Sequence, residues 1–168
     1  MAKKSAGFLI YRFRNKRLEI FLVHPGGPFW AKKDEGAWSL PKGEYEAGEE
    51  PLSVARREFE EETGFAVEDV VNQNAFHELD DLKQAGGKII KAWAAEGDCD
   101  AAAVRSNMFT MQWPPRSGKQ AQFPEVDRAG WFQIKQASRK ILKGQAGFLD
   151  QLCALLEYDH ADEAPAGE

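Results

Sequence analysis

The segment 43–65 constrains the fold of this chain more than any other, because its two halves predict different structures. Gly43 to Glu50 is polar and rich in glycine, without apolar periodicity, which predicts a loop. Pro51 suits the first position of a helix, where its missing N–H group leaves no hydrogen bond unmade. No further proline or glycine follows until Gly64, which stands where a left-handed residue would end the helix. We therefore predict a helix over 51–63.

Helical spacing gives this segment an apolar stripe and, beside it, an acidic face. At about 100° per residue, the apolar residues that share the stripe are Leu52, Ala55 and Phe59. The carboxylates that share the acidic face, at i, i+3 and i+4, are Glu58, Glu61 and Glu62. Their like charges repel, and the C-terminal end of a helix disfavours anions. A divalent cation would offset both effects, and oxygen-only ligands suit Mg²⁺, Mn²⁺ or Ca²⁺ rather than zinc. The alternative is a glutamate-rich face that is simply solvated.

The whole pattern of the segment resembles the signature of the Nudix hydrolases. Its fixed positions, in order, are Gly43, Glu49, Arg57, Glu58, Glu61, Glu62 and Gly64. The two apolar positions hold Phe59 and Phe65, where the family more often has an aliphatic residue. The resemblance implies an α/β Nudix fold, in which a mixed β-sheet is sandwiched between helices.

The resemblance also implies roles for the residues that match the signature. Glu58, Glu61, Glu62 and the backbone carbonyl of Gly43 correspond to metal ligands, with Mg²⁺ as the expected cofactor and Mn²⁺ as a possible substitute. Glu61 carries a catalytic role as well. Arg57 corresponds to a structural arginine, and its expected partner is Glu49.

The catalytic base is expected outside the signature. Glu125 precedes Trp131 by six residues, as a glutamate precedes a tryptophan in the dinucleoside-polyphosphate branch that this chain resembles. Asp127 is the second candidate for the base. The alternative for Glu125 is an exposed carboxylate in a turn.

The expected substrate follows from the residues before the signature. Residues 38–43 resemble the Trp-x-x-Pro-Lys-Gly sequence of Nudix enzymes that act on dinucleoside polyphosphates or diphosphoinositol polyphosphates. Lys42, and Arg116 with Lys119 on a later loop, can each bind an additional phosphate. Trp30 can stack on a nucleobase or cover the edge of the core. The alternatives are a housecleaning nucleoside triphosphate pyrophosphatase, a diphosphoinositol polyphosphate hydrolase, and a non-catalytic domain that binds a nucleotide or an RNA cap.

Composition and charge narrow the possible partners. The net charge of the chain is −5. The negative charge is concentrated in residues 44–62, which contain eight glutamates and two arginines. This argues against general nucleic-acid binding and favours a small polyphosphate reached through cations. No apolar run approaches the roughly 18 residues of a membrane span. Cys99 and Cys153 lack metal-ligand spacing and are interpreted as reduced thiols of a cytoplasmic protein. The oligomeric state is not predicted.

Most of the chain is expected to form one domain, residues 5–158, followed by a disordered tail, 159–168. Periodicity predicts strands that pair as hairpins on either side of the acidic helix, and helices near the end of the chain. The strands are predicted at 7–13, 18–24, 38–43, 67–71, 74–83, 88–96, 108–113 and, as a short one, 131–132, with a loop at 114–124 and helices at 134–142 and 148–158.

Overall fold

The computed structural model describes residues 3–73 and 75–159 and shows a mixed sheet between helices. The strands are β1 (Lys4–Arg14), β2 (Arg17–Pro25), β3 (Lys42–Tyr45), β4 (His77–Glu78), β5 (Leu82–Lys83), β6 (Ile89–Glu96), β7 (Met108–Gln112), β8 (Gln120–Pro124) and β9 (Val126–Gln133). The helices are α1 (Pro51–Thr63), α2 (Val67–Val70), α3 (Ile134–Lys140) and α4 (Ala146–Leu156). The predicted fold class is therefore confirmed.

Strand β1 lies at the centre of the main sheet, which has the order β4-β6-β1-β2-β9. It pairs antiparallel with β2 and, at its first four residues, with β3, and it pairs in parallel with β6. Its apolar run is nearly continuous because both faces of the strand are covered, as is usual for a strand with a parallel neighbour.

The two faces of the sheet support separate cores. Phe8 and Phe21 pack with α1 on one face, where Phe59 is fully buried. Leu9 and Leu22 lie on the other face, which α3 and α4 cover. Neighbouring residues of a strand point to opposite faces, so β1 and β2 contribute to both cores at once.

Helix α1 begins and ends where the sequence predicts, with one addition. The carboxylate of Glu50, immediately before Pro51, accepts hydrogen bonds from the backbone N–H groups of Leu52 and Ser53, at 3.1 and 2.8 Å. These bonds satisfy two donors that a helix start leaves unpaired. At the other end Gly64 adopts φ +82°, and an added Cβ there would lie 2.8 Å from the carbonyl oxygen of Arg105.

Several predicted elements differ from the structure. Residues 43–45 of the predicted loop belong to strand β3, which completes the sheet beside β1, and of the strand predicted at 38–43 only Lys42 and Gly43 are part of it. The strand predicted at 67–71 is instead helix α2, because Val67 and Val70, three residues apart, are buried together while the acidic residues between them are exposed. The second half of the predicted loop 114–124 is β8, which pairs with β7 in a separate hairpin.

The long strand predicted at 74–83 is two short strands, β4 and β5, both paired with β6. Residue 74 lies outside the described residues, and so does the predicted tail apart from Asp159. In the part of the chain that the structure describes, no helix is long and apolar enough to cross a membrane. In the described part of the chain, neither Cys99 nor Cys153 forms a disulfide.

Candidate functional site

The acidic face of α1 lies beside the sheet because Phe59, the residue that follows Glu58, anchors the helix in the core. Phe59 is fully buried and meets Phe8 edge to face, with ring centroids 6.1 Å apart. Glu58, Glu61 and Glu62 are therefore neither free in solvent nor enclosed, and all three are half-buried. Burial, and next the charge of Glu61, raise the pKa of Glu58. The group is thus electrostatically strained without a cation.

Gly43 and Glu58 approach so closely that no side chain fits between them. A Cβ at position 43 would collide with the carboxyl group of Glu58. Glycine therefore lets the backbone of β3 lie against the helix, so that the Gly43 carbonyl and the Glu58 carboxylate belong to one small region.

Glu62 is the most perturbed carboxylate of the site. Its Oε1 accepts a hydrogen bond from the backbone N–H of Lys42, at 3.3 Å. Burial raises its pKa to about 8, against the lowering effect of the Lys42 ammonium and backbone N–H, and the charges of Glu58 and Glu125 raise it further. A carboxylate whose pKa is raised by burial is stabilised most by a bound cation, because the cation favours the ionised form of the carboxylate.

Glu125 reaches this cluster through backbone hydrogen bonds to the end of α1. The N–H of Asn107 donates to the carbonyl of Glu61 at 2.7 Å, and the N–H of Glu125 donates to the carbonyl of Asn107 at 2.9 Å. The Glu125 carbonyl in turn accepts from Gly26 at 3.0 Å. Burial, and next the charge of Glu61, raise the pKa of Glu125. The structure thus places Glu125 within electrostatic reach of the helix carboxylates.

Asp127, the second candidate for the base, is engaged elsewhere. Its Oδ1 lies 2.8 Å from Nδ1 of His24 and 3.9 Å from Nε of Arg128. Its interactions are therefore with β2 and β9 rather than with the carboxylates of α1.

Arg57 lies on the exposed side of the acidic cluster. Its Nη1 is 3.4 Å from Oε2 of Glu49, as expected for this pair, and other guanidinium nitrogens are 3.8 Å from Glu58 and 4.0 Å from Glu61. The arginine therefore joins the loop before α1 to the acidic face and offsets part of its charge.

The donor set of this region suits a hard divalent cation. The donors are carboxylate and carbonyl oxygens, burial and neighbouring carboxylates raise the pKa values of Glu58 and Glu62, and Gly43 leaves room for close approach. Among residues 3–73 and 75–159, however, no three acidic, histidine or cysteine side chains are already arranged to hold a metal ion. The residues fit such a cation in kind and in location.

A cavity of about 220 Å³ opens beside the acidic cluster. Glu62 and Glu125 form its acidic wall, Lys42 its basic wall, and Trp30 with Val23 part of its apolar wall. A phosphate chain next to a flat apolar group matches this combination.

The two other predicted substrate-binding residues lie away from the lining of this cavity. Arg116 and Lys119 are exposed in the turn of the β7–β8 hairpin. Trp113, at the base of that turn, meets Phe29 edge to face with ring centroids 5.6 Å apart. The hairpin therefore contacts the loop that carries Trp30.

A sequence profile described as the NUDIX domain matches residues 1–152, nearly the whole chain. The chain belongs to the Nudix family. Over 38 residues it is 47% identical to Nudix hydrolase 25 of Arabidopsis thaliana, a match that covers 23% of this chain and 22% of that protein. The chain thus matches only about a fifth of the length of this curated relative.

Solved structures share the Nudix fold over almost the full chain. A binary complex of a C. elegans Ap4A hydrolase has a TM-score of 0.60 at 23% identity, over 93% of this chain and 98% of that one. The NUDIX domain of Shewanella oneidensis NrtR, in complex with ADP ribose, has a TM-score of 0.62 at 14% identity, over 93% and 89%. At these identities the likeness shows the fold.

The residues that sequence reasoning missed are the buried polar ones of this Nudix domain. The described residues include three such side chains, those of His24, Thr63 and Gln145. Gln145 accepts from the N–H of Leu40 and donates to Oγ of Ser39, so it holds the strand that leads into Gly43. Thr63 caps the end of α1, where its hydroxyl accepts from the N–H of Phe65. Their partners are distant in sequence or specific to the local backbone, so no sequence pattern marks them.

Proposed function

We propose that this Nudix domain is a divalent-cation-dependent hydrolase that cleaves a diphosphate linkage in a nucleoside diphosphate derivative, with a dinucleoside polyphosphate as substrate. The observation that carries the proposal is the convergence of Glu58, Glu61 and Glu62 of α1 with Glu125 beside one cavity. Four neighbouring carboxylates, three of which have a pKa raised by burial and by the charges around them, are an unfavourable arrangement for a purely structural surface.

The roles of the residues follow from their places around the cavity. Glu58, Glu61, Glu62 and the Gly43 carbonyl would hold Mg²⁺ or Mn²⁺. When bound, such a cation supplies neutralisation of phosphate oxygens and acidifies the water that attacks phosphorus. Glu125 accepts the proton of that water, and its raised pKa brings it closer to neutral pH, as suits a base.

The substrate class rests on Lys42, Trp30 and the hairpin turn. Lys42 and Trp30 both line the cavity, so that a phosphate and a nucleobase can be bound together. Arg116 and Lys119 supply two further cations for a longer phosphate chain. The fold likeness to a C. elegans Ap4A hydrolase is compatible with this substrate class.

The decisive experiment is a substrate panel with product identification. Diadenosine tetraphosphate, a nucleoside triphosphate, ADP-ribose and a diphosphoinositol polyphosphate are incubated with the protein in Mg²⁺, in Mn²⁺ and in chelator. We expect the dinucleoside polyphosphate to have the highest kcat/KM and the chelator to abolish turnover. Saturable binding without turnover of any compound would show a binding domain, and preference for the triphosphate would show a housecleaning pyrophosphatase.

The role of the base is tested by Glu125→Gln, with Asp127→Asn as the matched comparison. Glu125→Gln should lower kcat by about a hundredfold, because an amide cannot accept the proton, while KM changes little. Asp127→Asn should have a much smaller effect on kcat. A large loss at Asp127 with a small one at Glu125 would assign the base to Asp127.

The role of the hairpin turn is tested by the double variant Arg116→Ala/Lys119→Ala. We expect KM for diadenosine tetraphosphate to rise about fivefold and KM for a triphosphate to change less, because a short chain would not reach the turn. Arg14→Ala/Lys16→Ala removes two exposed cations at the β1–β2 turn, the end of β1 far from β3, and serves as the charge-matched control. Equal changes in the two double variants would show only a general effect of charge.

A further inference from the structure

His24 is fully buried in β2 and both of its ring nitrogens face acceptors. Nε2 lies 2.6 Å from the backbone carbonyl oxygen of Lys33, and Nδ1 lies 2.8 Å from Oδ1 of Asp127. A carbonyl can only accept, so Nε2 donates its hydrogen to Lys33, and one proton shared between Nδ1 and the Asp127 carboxyl group makes the second hydrogen bond. The imidazole therefore joins Lys33 to Asp127 by two hydrogen bonds.

The Lys33 carbonyl belongs to a turn whose own backbone bonds are local. The N–H of Trp30 donates to the carbonyl of Gly27 at 3.4 Å, and the N–H of Lys33 donates to the carbonyl of Trp30 at 2.9 Å. These bonds hold the turn together but do not attach it to the sheet. The 26–36 loop is attached at its ends, where the Gly26 N–H donates to the Glu125 carbonyl and Asp34 pairs with Lys140, and the bond from His24 ties Lys33, between them, to β2.

Trp30 is the residue of this turn that lines the cavity beside Lys42 and Glu62. Its ring also receives the Lys33 ammonium, at 5.0 Å from the ring centroid. A displacement of the Lys33 backbone would therefore shift Trp30 relative to the acidic wall.

The surroundings of His24 are arranged to keep the imidazole in one position. Trp38 packs edge to face against it, with ring centroids 5.2 Å apart. The Nε1–H of the Trp38 indole donates a hydrogen bond to Asp34, and Asp34 forms an ion pair with Lys140 at 2.7 Å. The Arg128 guanidinium lies over the face of the same indole. Fixed neighbours on each side leave the ring little freedom to turn.

We propose that His24 and Asp127 form a positioning pair that holds the 26–36 loop, and with it Trp30, at the wall of the cavity. The pair sets the affinity for the nucleoside part of the substrate without touching the substrate itself. This consequence rests on the proposed function, whereas the restraint of the loop does not.

The restraint is tested first by amide hydrogen exchange, which needs no activity. In His24→Gln, one amide group cannot bond both acceptors, so we expect exchange at Trp30 and Lys33 to accelerate about tenfold while strand β6 stays unchanged. Asp127→Ala should act in the same direction, and Asp127→Asn, which keeps an acceptor for Nδ1–H, should exchange like the wild type. Unchanged exchange in the loop, or equal acceleration in β6, would overturn the proposal.

The effect on binding is tested by a double-mutant cycle with Trp30→Ala. His24→Gln should raise KM for the dinucleoside polyphosphate about tenfold and leave kcat within about twofold. In the Trp30→Ala background it should have no further effect on KM, because the pair acts through Trp30. Effects that multiply, or a fall in kcat at unchanged KM, would refute the positioning role. If the wild type hydrolyses no compound, the proposed function fails, and the exchange experiment still decides whether the pair restrains the loop.

Discussion

Helices α1 and α4 cover opposite faces of the same sheet, yet they are stabilised in different ways. Helix α1 has a carboxylate cap at its start and a left-handed glycine at its end. Helix α4 has no side-chain cap at its start, and its C-terminal cap is a glutamate, Glu157, at φ +52°. Both bury a phenylalanine completely, Phe59 in α1 and Phe148 in α4.

The difference follows from what the exposed sides of the two helices carry. Near its C-terminal end α1 presents Glu58, Glu61 and Glu62, whose mutual repulsion and position on the helix dipole oppose folding. The caps at Glu50 and Gly64 offset part of this effect. Helix α4 carries no such cluster and is held by its apolar face and by Gln151, whose side chain makes two hydrogen bonds to the backbone of Asp80. Local stabilisation is thus strongest in the helix that carries the unfavourable cluster of carboxylates.

The largest effect expected from this contrast is on activity. Glu61→Gln should lower kcat by about a thousandfold, because it removes an anionic oxygen from the proposed cation site, and the fold should persist. The matched control on α4 is Asp150→Asn, an exposed carboxylate on the opposite face of the sheet. Kinetics of both variants in saturating Mg²⁺ provide the measurement. Retained activity in Glu61→Gln would show that the Glu61 carboxylate of α1 takes no part in the reaction.

Replacing each of the two buried phenylalanines distinguishes an effect on stability from an effect on activity. Phe59→Ala and Phe148→Ala should each lower the free energy of unfolding by about 4 kcal/mol, because each leaves a large cavity in a closed core. At a temperature where both variants are folded, only Phe59→Ala should also lose activity, since Phe59 holds the carboxylates in place. Urea unfolding and kinetics of the two variants would show this. Equal activity losses would mean that the two faces are not functionally distinct.

The raised pKa of Glu62 makes the stability of α1 depend on pH in the absence of metal. The folded protein retains the proton up to about pH 8, whereas the unfolded chain releases it near the ordinary value of 4.5. This contribution to stability is therefore complete below pH 4.5 and is lost as the pH rises through about 8. Glu62→Gln should remove the dependence and stabilise the metal-free protein by on the order of 3 kcal/mol at the alkaline end.

The measurement is thermal unfolding in chelator across this pH range, with Glu60→Gln, an exposed glutamate of the same helix, as control. Parallel stability curves for the wild type and Glu62→Gln would contradict the expected burial of Glu62. Added Mg²⁺ should reverse the order of the two proteins, because only the glutamate gains from a cation.

The smallest effect expected is at the start of α1. Glu50→Ala removes the acceptor for the N–H groups of Leu52 and Ser53, so the melting temperature should fall by a few degrees. Glu60→Ala again serves as control, since its side chain makes no capping bond in the described structure. If both variants melt alike, the cap does not offset the acidic face.

Prediction from sequence was most accurate where the signal is local. The β1–β2 hairpin followed from two runs of aromatic and branched residues around a polar turn, and the bounds of α1 followed from helical periodicity and the positions of Pro51 and Gly64. The errors came where burial overrides local preference. Residues 67–71 have β-branched side chains but form a helix, because a single turn brings Val67 and Val70 into the core beside α1. Residues 120–124 became a strand only because β7 lies beside them.

In the candidate site, too, some features follow from local sequence and others depend on contacts between distant segments. The shared face of Glu58, Glu61 and Glu62 is a property of helical spacing, so it was readable from the sequence. The contact of Gly43 with Glu58 depends on β3 pairing with β1, and the approach of Glu125 depends on bonds through Asn107. His24 gave no sequence signal at all, because its two partners are 9 and 103 residues away.

By itself, the sequence determined where the acidic helix begins and ends and that the chain belongs to the Nudix family. Those features depend on residues that are neighbours in the chain or lie one helical turn apart, so their geometry follows from backbone periodicity. Only the tertiary structure decided which loop would face the helix and that an imidazole would tie the Trp30 turn to the sheet. These contacts join segments far apart in sequence, and burial and strand pairing, rather than local preference, bring them together.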